Sequence, residues 1–534
     1  MNFKKISLFL LAITALLTAY AEEPKFTPRQ KLSMVENIIE NFYVDTVDAD
    51  HVVEEAIVAM LKTLDPHSQY SDFEETKALT EPLQGNFSGI GIQFNMLNDT
   101  LYVIQPVAGG PSEKVGILAG DRIIAADDTA ISGMKMKNTA IQKILRGPKG
   151  STVKVTVLRK GVPEFLEFNI VRDDIPIYSI DAAYMANDSV GFIKLARFAE
   201  STGQEMLKAI DNLKRKGMKR LVLDLEENGG GYLSAAFDVA SLFLNKGDLV
   251  VFTKGTKLEP RYFRAERRGV LADMPVVVMV NQYSASASEI VSGAIQDNDR
   301  GVLTGRRTYG KGLVQRPFPL PDGTMVRLTV QRYYTPSGRC IQKPYAEGKD
   351  DEYRNETYSR LSSGELMSAD SIHLPDSLLY RTLRLGRPVY GGGGVIPDNF
   401  VPVDTSYYSA YYRDLVAKGL INRVATEYVD QHRKELRKKY RNESQFVDQF
   451  KVDKATLDHL VDLGTKEGVE YNEEQFLTSK PIIELIIKGI IGRDIFEQST
   501  YFRVVNPISP NFCEAMRIIS SPEAYSSYLS VPAK

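Results

Sequence analysis

Pro275-Val-Val-Val-Met-Val-Asn-Gln-Tyr-Ser-Ala-Ser-Ala-Ser-Glu-Ile290 reads as a buried strand that turns sharply into a helix. Residues 275–280 are apolar on both faces, which suits a strand covered on both sides. The small residues that follow fit a tight turn, and a helix is expected over Ser288 to Asp297. Upstream the same alternation recurs: strand Val190–Leu195, helix Thr202–Lys216, strand Arg220–Leu225, helix Leu233–Leu244. Such alternation predicts an α/β core with helix N-termini, and their unpaired N–H groups, gathered at one edge of the sheet. Chemistry is expected at that edge.

A serine on a strand-to-helix turn exposes its hydroxyl at the sheet edge, and the next backbone N–H points toward any oxyanion that forms there. Ser284, Ser286 and Ser288 all qualify on this ground, and a serine at a helix start also serves simply as an N-cap. A base is needed. Arg307-Thr-Tyr-Gly-Lys-Gly-Leu-Val-Gln315 offers Lys311 between Gly310 and Gly312, small neighbours that allow close packing. Burial can lower a lysine pKa by several units and make it a base near neutrality. The five histidines are scattered, without metal-ligand spacing, so no metal and no cofactor is expected. His67, beside the Pro66 that stops a helix, reads as structural or solvated. Cys340 and Cys513 read as isolated buried thiols and exclude a disulfide framework.

Around the core the texture changes several times. Residues 1–21 pair a positive start with an apolar run and end Ala19-Tyr20-Ala21, the pattern of a signal peptide; the alternative is an uncleaved anchor. Export, with a periplasmic location preferred, follows. Helical spacing marks 22–85 as an N-terminal helical domain. Short alternating strands fill 86–175, the core spans 176–345, a polar insertion or flexible loop covers 346–384, the core resumes at 385–405, and 406–534 is a charged helical appendage. Lysine and arginine total 66 against 68 acidic residues, so no net field exists to gather nucleic acid. The most apolar helical piece, Ile482–Ile491, is too short and too charged for a membrane span. Self-association, where it occurs, falls to the helical ends.

Gly89-Ile-Gly-Ile92, Gly109-Gly-Pro-Ser-Glu-Lys-Val-Gly-Ile-Leu-Ala-Gly-Asp121 and Leu145-Arg-Gly-Pro-Lys-Gly150, in that order, resemble a protease-associated PDZ domain. That resemblance implies that Gly89, Ile90, Gly91 and Ile92 offer backbone N–H groups to a peptide's C-terminal carboxylate, while the adjoining strand edge adds the peptide as a strand. Ser284-Ala-Ser-Ala-Ser-Glu289 with Gly310-Lys-Gly-Leu-Val-Gln315 is similar to the carboxy-terminal processing peptidases, or tail-specific proteases. So are Leu64-Asp-Pro-His-Ser68, Gly338-Arg-Cys-Ile-Gln342 and Gly391-Gly-Gly-Gly-Val-Ile-Pro-Asp398. The resemblance covers roughly residues 30 to 405.

It implies an α/β protease core of the crotonase/ClpP-like kind with an inserted PDZ domain, an N-terminal helical segment and a C-terminal helical appendage. The family's serine–lysine spacing places the nucleophile at Ser286 and the general base at Lys311, with Gln315 orienting the lysine. Asp224-Leu-Glu-Glu-Asn-Gly-Gly-Gly231 matches the family's glycine turn, so that Gly230 or Gly231 joins Ala287 in an oxyanion hole. Arg146 becomes a candidate for reporting peptide binding to the core. The expected function is a serine endopeptidase that cuts exported proteins near their C-termini, its partners being protein or peptide C-termini. The alternative is a catalytically silent PDZ-containing scaffold of the same fold. Three residues depart from the family pattern: Glu226 where arginine is usual, Gly229 for proline, and Tyr309 for phenylalanine.

Overall fold

The computed structural model describes residues 26–530, and the signal-like segment lies outside them. At its centre is a six-stranded sheet. Ile180–Met185 pairs antiparallel with Val190–Leu195, and from there Arg220–Asp224, Val276–Val280, Val302–Gly305 and Asn399–Phe400 follow in parallel. Every residue of Val276–Val280 is buried, as a run apolar on both faces requires.

One face is covered by helices Thr202–Arg215, Leu233–Ser241 and Ala287–Asp297, whose Met206, Ile210, Val239, Ile290 and Val291 share a core with Ile193, Leu223 and Val278. The far end of the chain contributes to a second core, in which Phe512, Ala515, Ile518 and Ile519 of helix Pro510–Ser520 join Phe192, Val222, Val277 and Val302. These sheet residues alternate with those of the first core, so this helix covers the opposite face. The C-terminal region is therefore more than an appendage. Burying its phenylalanine and two isoleucines contributes about 1.5–3 kcal/mol each. The preceding helices, from Ala410 to Ile495, form a bundle with its own apolar centre around Leu415, Ala425, Leu460 and Ile487.

A second sheet joins Leu313–Pro319, Met325–Tyr334, Leu249–Lys254 and Arg261–Arg264, with Gln69–Ser71 pairing against Met325–Tyr334. That pairing brings the N-terminal segment to the core. Strands between residues 92 and 171 form a separate sheet, entered and left through the antiparallel ribbon Asn86–Gly89 with Asp173–Pro176. The small sheet also rests on the bundle: Arg122 pairs with Asp430 at 2.7 Å, Arg423 reaches Asn98 at 2.8 Å, and Arg433 reaches the Ile104 carbonyl at 3.3 Å.

Two expectations change. Of the two readings of 346–384, insertion or flexible loop, the second gives way: Asp350–Arg354 and Glu356–Ser362 are helices that bury Tyr353 and Arg360. Glu356, Arg360 and Glu365 turn inward into ion pairs, while Lys349, Asp351, Glu352 and Arg354 stay exposed. Cys513 is exposed and Cys340 half-buried, both free, so the expectation of two buried thiols fails at Cys513.

Candidate active site

The turn after Val280 is held by its own side chains. Ser284 donates to the Leu225 carbonyl at 2.8 Å and accepts from Asn281 N–H at 2.9 Å, while Ser288 donates to the Asn228 carbonyl at 2.8 Å. Both are fully buried and committed; Ser286 is half-buried. Ser286 stands at φ 55°, ψ −110°. Such a conformation costs an L-residue about 1–3 kcal/mol and persists only where the surroundings impose it. Glu289 is part of what imposes it.

The Glu289 carboxylate is wholly buried, and its Oε2 accepts the backbone N–H of Ser286 at 2.8 Å and of Lys311 at 2.9 Å. Its Oε1 accepts Gly310 N–H at 2.7 Å and the Thr308 hydroxyl at 2.6 Å. Burial raises its pKa against the pull of these donors. From the other side, the buried Tyr333 hydroxyl lies 2.6 Å from the Lys311 carbonyl and 3.1 Å from that of Ser286. Two side chains thus bridge the two loops and fix the backbones of Ser286 and Lys311 relative to one another. Motif reading misses both roles, although Glu289 stands inside the quoted serine turn.

Burial, and after it the Arg327 guanidinium, lowers the Lys311 pKa from 10.5 to about 8, while Glu289 and Asp65 pull the other way. The structure records no hydrogen bond from the Lys311 amine to Ser286 or to Gln315 among the described residues. The Gln315 amide instead reaches Thr329 Oγ1 at 3.4 Å, and that hydroxyl donates to Asp65 Oδ1 at 3.0 Å. His67 arrives with Asp65 from the N-terminal segment. It does not sit in open solvent: burial, and then the Lys311 charge, lower its pKa to about 3, and its Nε2 lies 2.7 Å from the Tyr353 hydroxyl. A cleft of 370 Å³ opens on this side, with Asp65, Leu313, Thr329, Tyr334 and Tyr345 in its wall.

The glycine turn approaches Ser286 directly. A Cβ on Gly230 would lie 2.8 Å from Ser286 Cβ and 3.0 Å from Ala287 N, so only glycine fits at that φ of 103°. Gly230 N–H is already donated to Asn228 Oδ1 at 2.9 Å. Gly231 N–H and Ala287 N–H have no acceptor among the described residues. Of the two glycines expected there, Gly231 is the one with a free donor.

At the small sheet, Ile92–Leu97 is a terminal strand, paired with Thr100–Pro106 on one side only. Gly91 precedes it at φ 73°, where a Cβ would meet Ile175 at 2.9 Å. Arg146 stacks 4.3 Å from the Phe87 ring centroid and pairs with Glu81 at 2.7 Å, in the helix Phe73–Gln84, not with a residue of the core sheet. That helix touches the core at its end, where the Leu83 carbonyl accepts from Glu200 N–H at 2.9 Å.

Glu226, where the family pattern has arginine, meets partners from two other segments. Its Oε1 accepts from Asn511 of the C-terminal helix at 3.0 Å and lies 3.8 Å from Arg306. Burial and the nearby Asp224 push its pKa up to about 7.

Comparison with known proteins gives four matched regions: peptidase family S41 over residues 189–349, a PDZ domain over 88–170, the N-terminal domain of the activating protease CtpB over 17–76, and a family of unknown function over 411–497. A carboxy-terminal-processing protease of Bartonella bacilliformis is 36% identical over 342 residues, 63% of this chain and 78% of that one. Carboxy-terminal processing protease CtpA of Bacillus subtilis is 33% identical over 339 residues, 63% and 72% of the respective chains. A solved photosystem II D1 C-terminal processing protease is 29% identical, with 63% of this chain and 90% of that one covered at a TM-score of 0.34.

Proposed function

Because the chain belongs to the carboxy-terminal processing proteases and is a serine-type endopeptidase with a PDZ domain, we propose that Ser286 is its nucleophile and Lys311 its general base. The observation that carries this is the pair of bridges, Glu289 and Tyr333, between the two backbones. The neutral lysine takes the Ser286 proton, and the alkoxide attacks the scissile carbonyl. The resulting oxyanion rests on Ala287 and Gly231 N–H, donors worth about 3–4 kcal/mol each in such holes. Catalytic hydrogen bonds often tighten only when substrate is bound, so the absence of a Ser286–Lys311 bond is compatible with this role. Gln315 acts through Thr329 and Asp65 as part of the wall that packs the lysine.

The substrate's C-terminus adds to the free side of Ile92–Leu97, its carboxylate facing residues 89–92. Arg146 then reports through Glu81 and the helix that reaches Glu200. The core takes the crotonase/ClpP-like arrangement. We place the enzyme in the periplasm on its signal-like start. Self-association runs through helix Pro28–Phe42, whose Leu32, Val35, Ile38 and Phe42 are all exposed. No helix among the described residues is long and apolar enough to cross a membrane.

The test is cleavage of an unfolded protein by the wild type and by Ser286→Ala and Lys311→Ala. Both variants are expected to be inactive; cleavage by either at the wild-type rate refutes the pair. Amidation of the substrate C-terminus is expected to raise KM.

A further inference from the structure

Lys311 sits between two glycines in an irregular loop, so its own sequence gives the loop little reason to hold one shape. The carbonyls of Arg307, Thr308 and Tyr309, just ahead of it, nevertheless all point at one donor. Arg360 Nη1 reaches the first two at 3.3 and 2.8 Å, and Nη2 reaches the third at 3.2 Å. A planar guanidinium can serve a run of carbonyls in this way; a lysine ammonium presents no such fork. Arg360 is 2% exposed, and Glu356 fixes its Nε at 2.8 Å. Glu365 grips Arg307 through two bonds of 2.6 Å.

The segment also secures the loop beyond the lysine. Gly312 N–H is donated to Gln342 Oε1 at 2.8 Å, and Gln342 Nε2 donates to the Tyr353 hydroxyl at 3.1 Å. The same hydroxyl meets His67. Lys343 lies 4.0 and 4.1 Å from the ring centroids of Tyr309 and Tyr353 and bonds Glu356 at 3.0 Å. Nothing in this network bonds the Lys311 amine. It acts on the backbone to either side.

We propose that residues 349–366, the stretch that reads as a polar insertion, form a buttress that positions Lys311, with Arg360 as its central positioning residue. The inference rests on the assignment of Lys311 as the base. Removing the fork frees the buried Arg307 and Thr308 carbonyls and the half-buried Tyr309 carbonyl, and lets the loop shift. Displacement of a catalytic group by about 1 Å costs on the order of 10²-fold in rate.

The test compares the full chain with its Arg360→Ala and Arg360→Lys variants, and with Lys311→Ala as a control. Arg360→Ala is expected to lose on the order of 10²-fold in kcat with KM preserved. The acid limb of kcat/KM should move up from about 8 toward the ordinary lysine value, and millimolar guanidinium should restore part of the rate. Arg360→Lys should show the same split in milder form, and it decides the matter if Arg360→Ala does not fold. Wild-type kcat and limb midpoint in a folded Arg360 variant overturn the buttress, as does a loss of rate that only follows the unfolded fraction. If Lys311→Ala cleaves normally, the base assignment falls and the buttress with it. An inactive Lys311→Ala beside an unaffected Arg360→Ala overturns the buttress alone.

Discussion

Replacing Lys311 by methionine removes an ammonium from a place that disfavours one. Burial and Arg327 lower the lysine pKa from 10.5 to about 8. At about 1.4 kcal/mol per pH unit, this corresponds to about 3 kcal/mol of folding free energy withheld while the lysine is charged. The sign comes from counting protons. Between pH 8 and 10.5 the unfolded chain keeps a proton at this lysine that the folded chain has released, so stability rises with pH across that window. Below it both states carry the proton and the whole cost is present. Methionine keeps much of the side-chain volume without the charge. At pH 7 Lys311→Met is therefore expected to be more stable than the wild type by up to about 3 kcal/mol, and the gain should shrink toward zero as the pH approaches 10.5. The chain has no tryptophan, so urea unfolding is best followed by circular dichroism, at several pH values for both proteins. In parallel, wild-type kcat/KM should climb about tenfold per pH unit on the acid side and level off above about 8. A stability difference that does not change with pH would show that the fold does not oppose the ammonium. An acid limb centred below 7 would hand the base role to another group.

Ser286→Gly should abolish cleavage yet stabilise the fold by about 1 kcal/mol, because glycine adopts positive φ without strain; denaturant midpoints against Ser286→Ala, which keeps the strain, check it. Asp430→Ala, which removes the partner of Arg122, should raise hydrogen exchange in the 92–106 strands while leaving cleavage of a short peptide without a free C-terminus unchanged. Glu226→Gln should be nearly neutral at pH 4 and stabilising at pH 8. A carboxyl whose folded pKa is raised from 4.5 to about 7 withdraws stability as pH rises through that interval, and the amide does not. Unfolding midpoints at the two pH values decide it.

Three of the six central strands are legible in the sequence because they are apolar on both faces and helices follow at once, and these elements begin and end within a few residues of the expected ones; Ile180–Met185, Val302–Gly305 and Asn399–Phe400 are not among those the sequence picks out. The resemblance to the family points to Ser286 among the three serines, and the structure adds that Ser284 and Ser288 are fully engaged. Contacts across long separations stay hidden. Asp65 and His67 reach the lysine only because Gln69–Ser71 pairs with Met325–Tyr334, a register that local periodicity cannot supply. The inward Glu356, Arg360 and Glu365 lie in a stretch that reads as a polar insertion or flexible loop, since burial of an ion pair leaves no mark on composition.

Glu226 shows how such long-range partners settle a local puzzle. A carboxylate two residues past the buried Asp224, near the end of a parallel strand, adds like charge where Lys194 already bonds Asp224 at 3.0 Å. Asn511, by a hydrogen bond that needs no charge, and then Lys194 and Arg306 compensate in part, though burial and Asp224 still hold the carboxyl pKa up. Asn511 stands on the helix whose Phe512, Ile518 and Ile519 cover the sheet, and its side chain also meets Thr304 at 3.0 Å. The acidic residue is thus matched by a C-terminal helix that seals the sheet and reaches the strand ends from which the glycine turn and the Lys311 loop depart. In a chain without that helix, Glu226 would face Asp224 with less compensation. On this geometry Glu226, where the family pattern has arginine, and the C-terminal helix are joined directly by the Asn511 hydrogen bond.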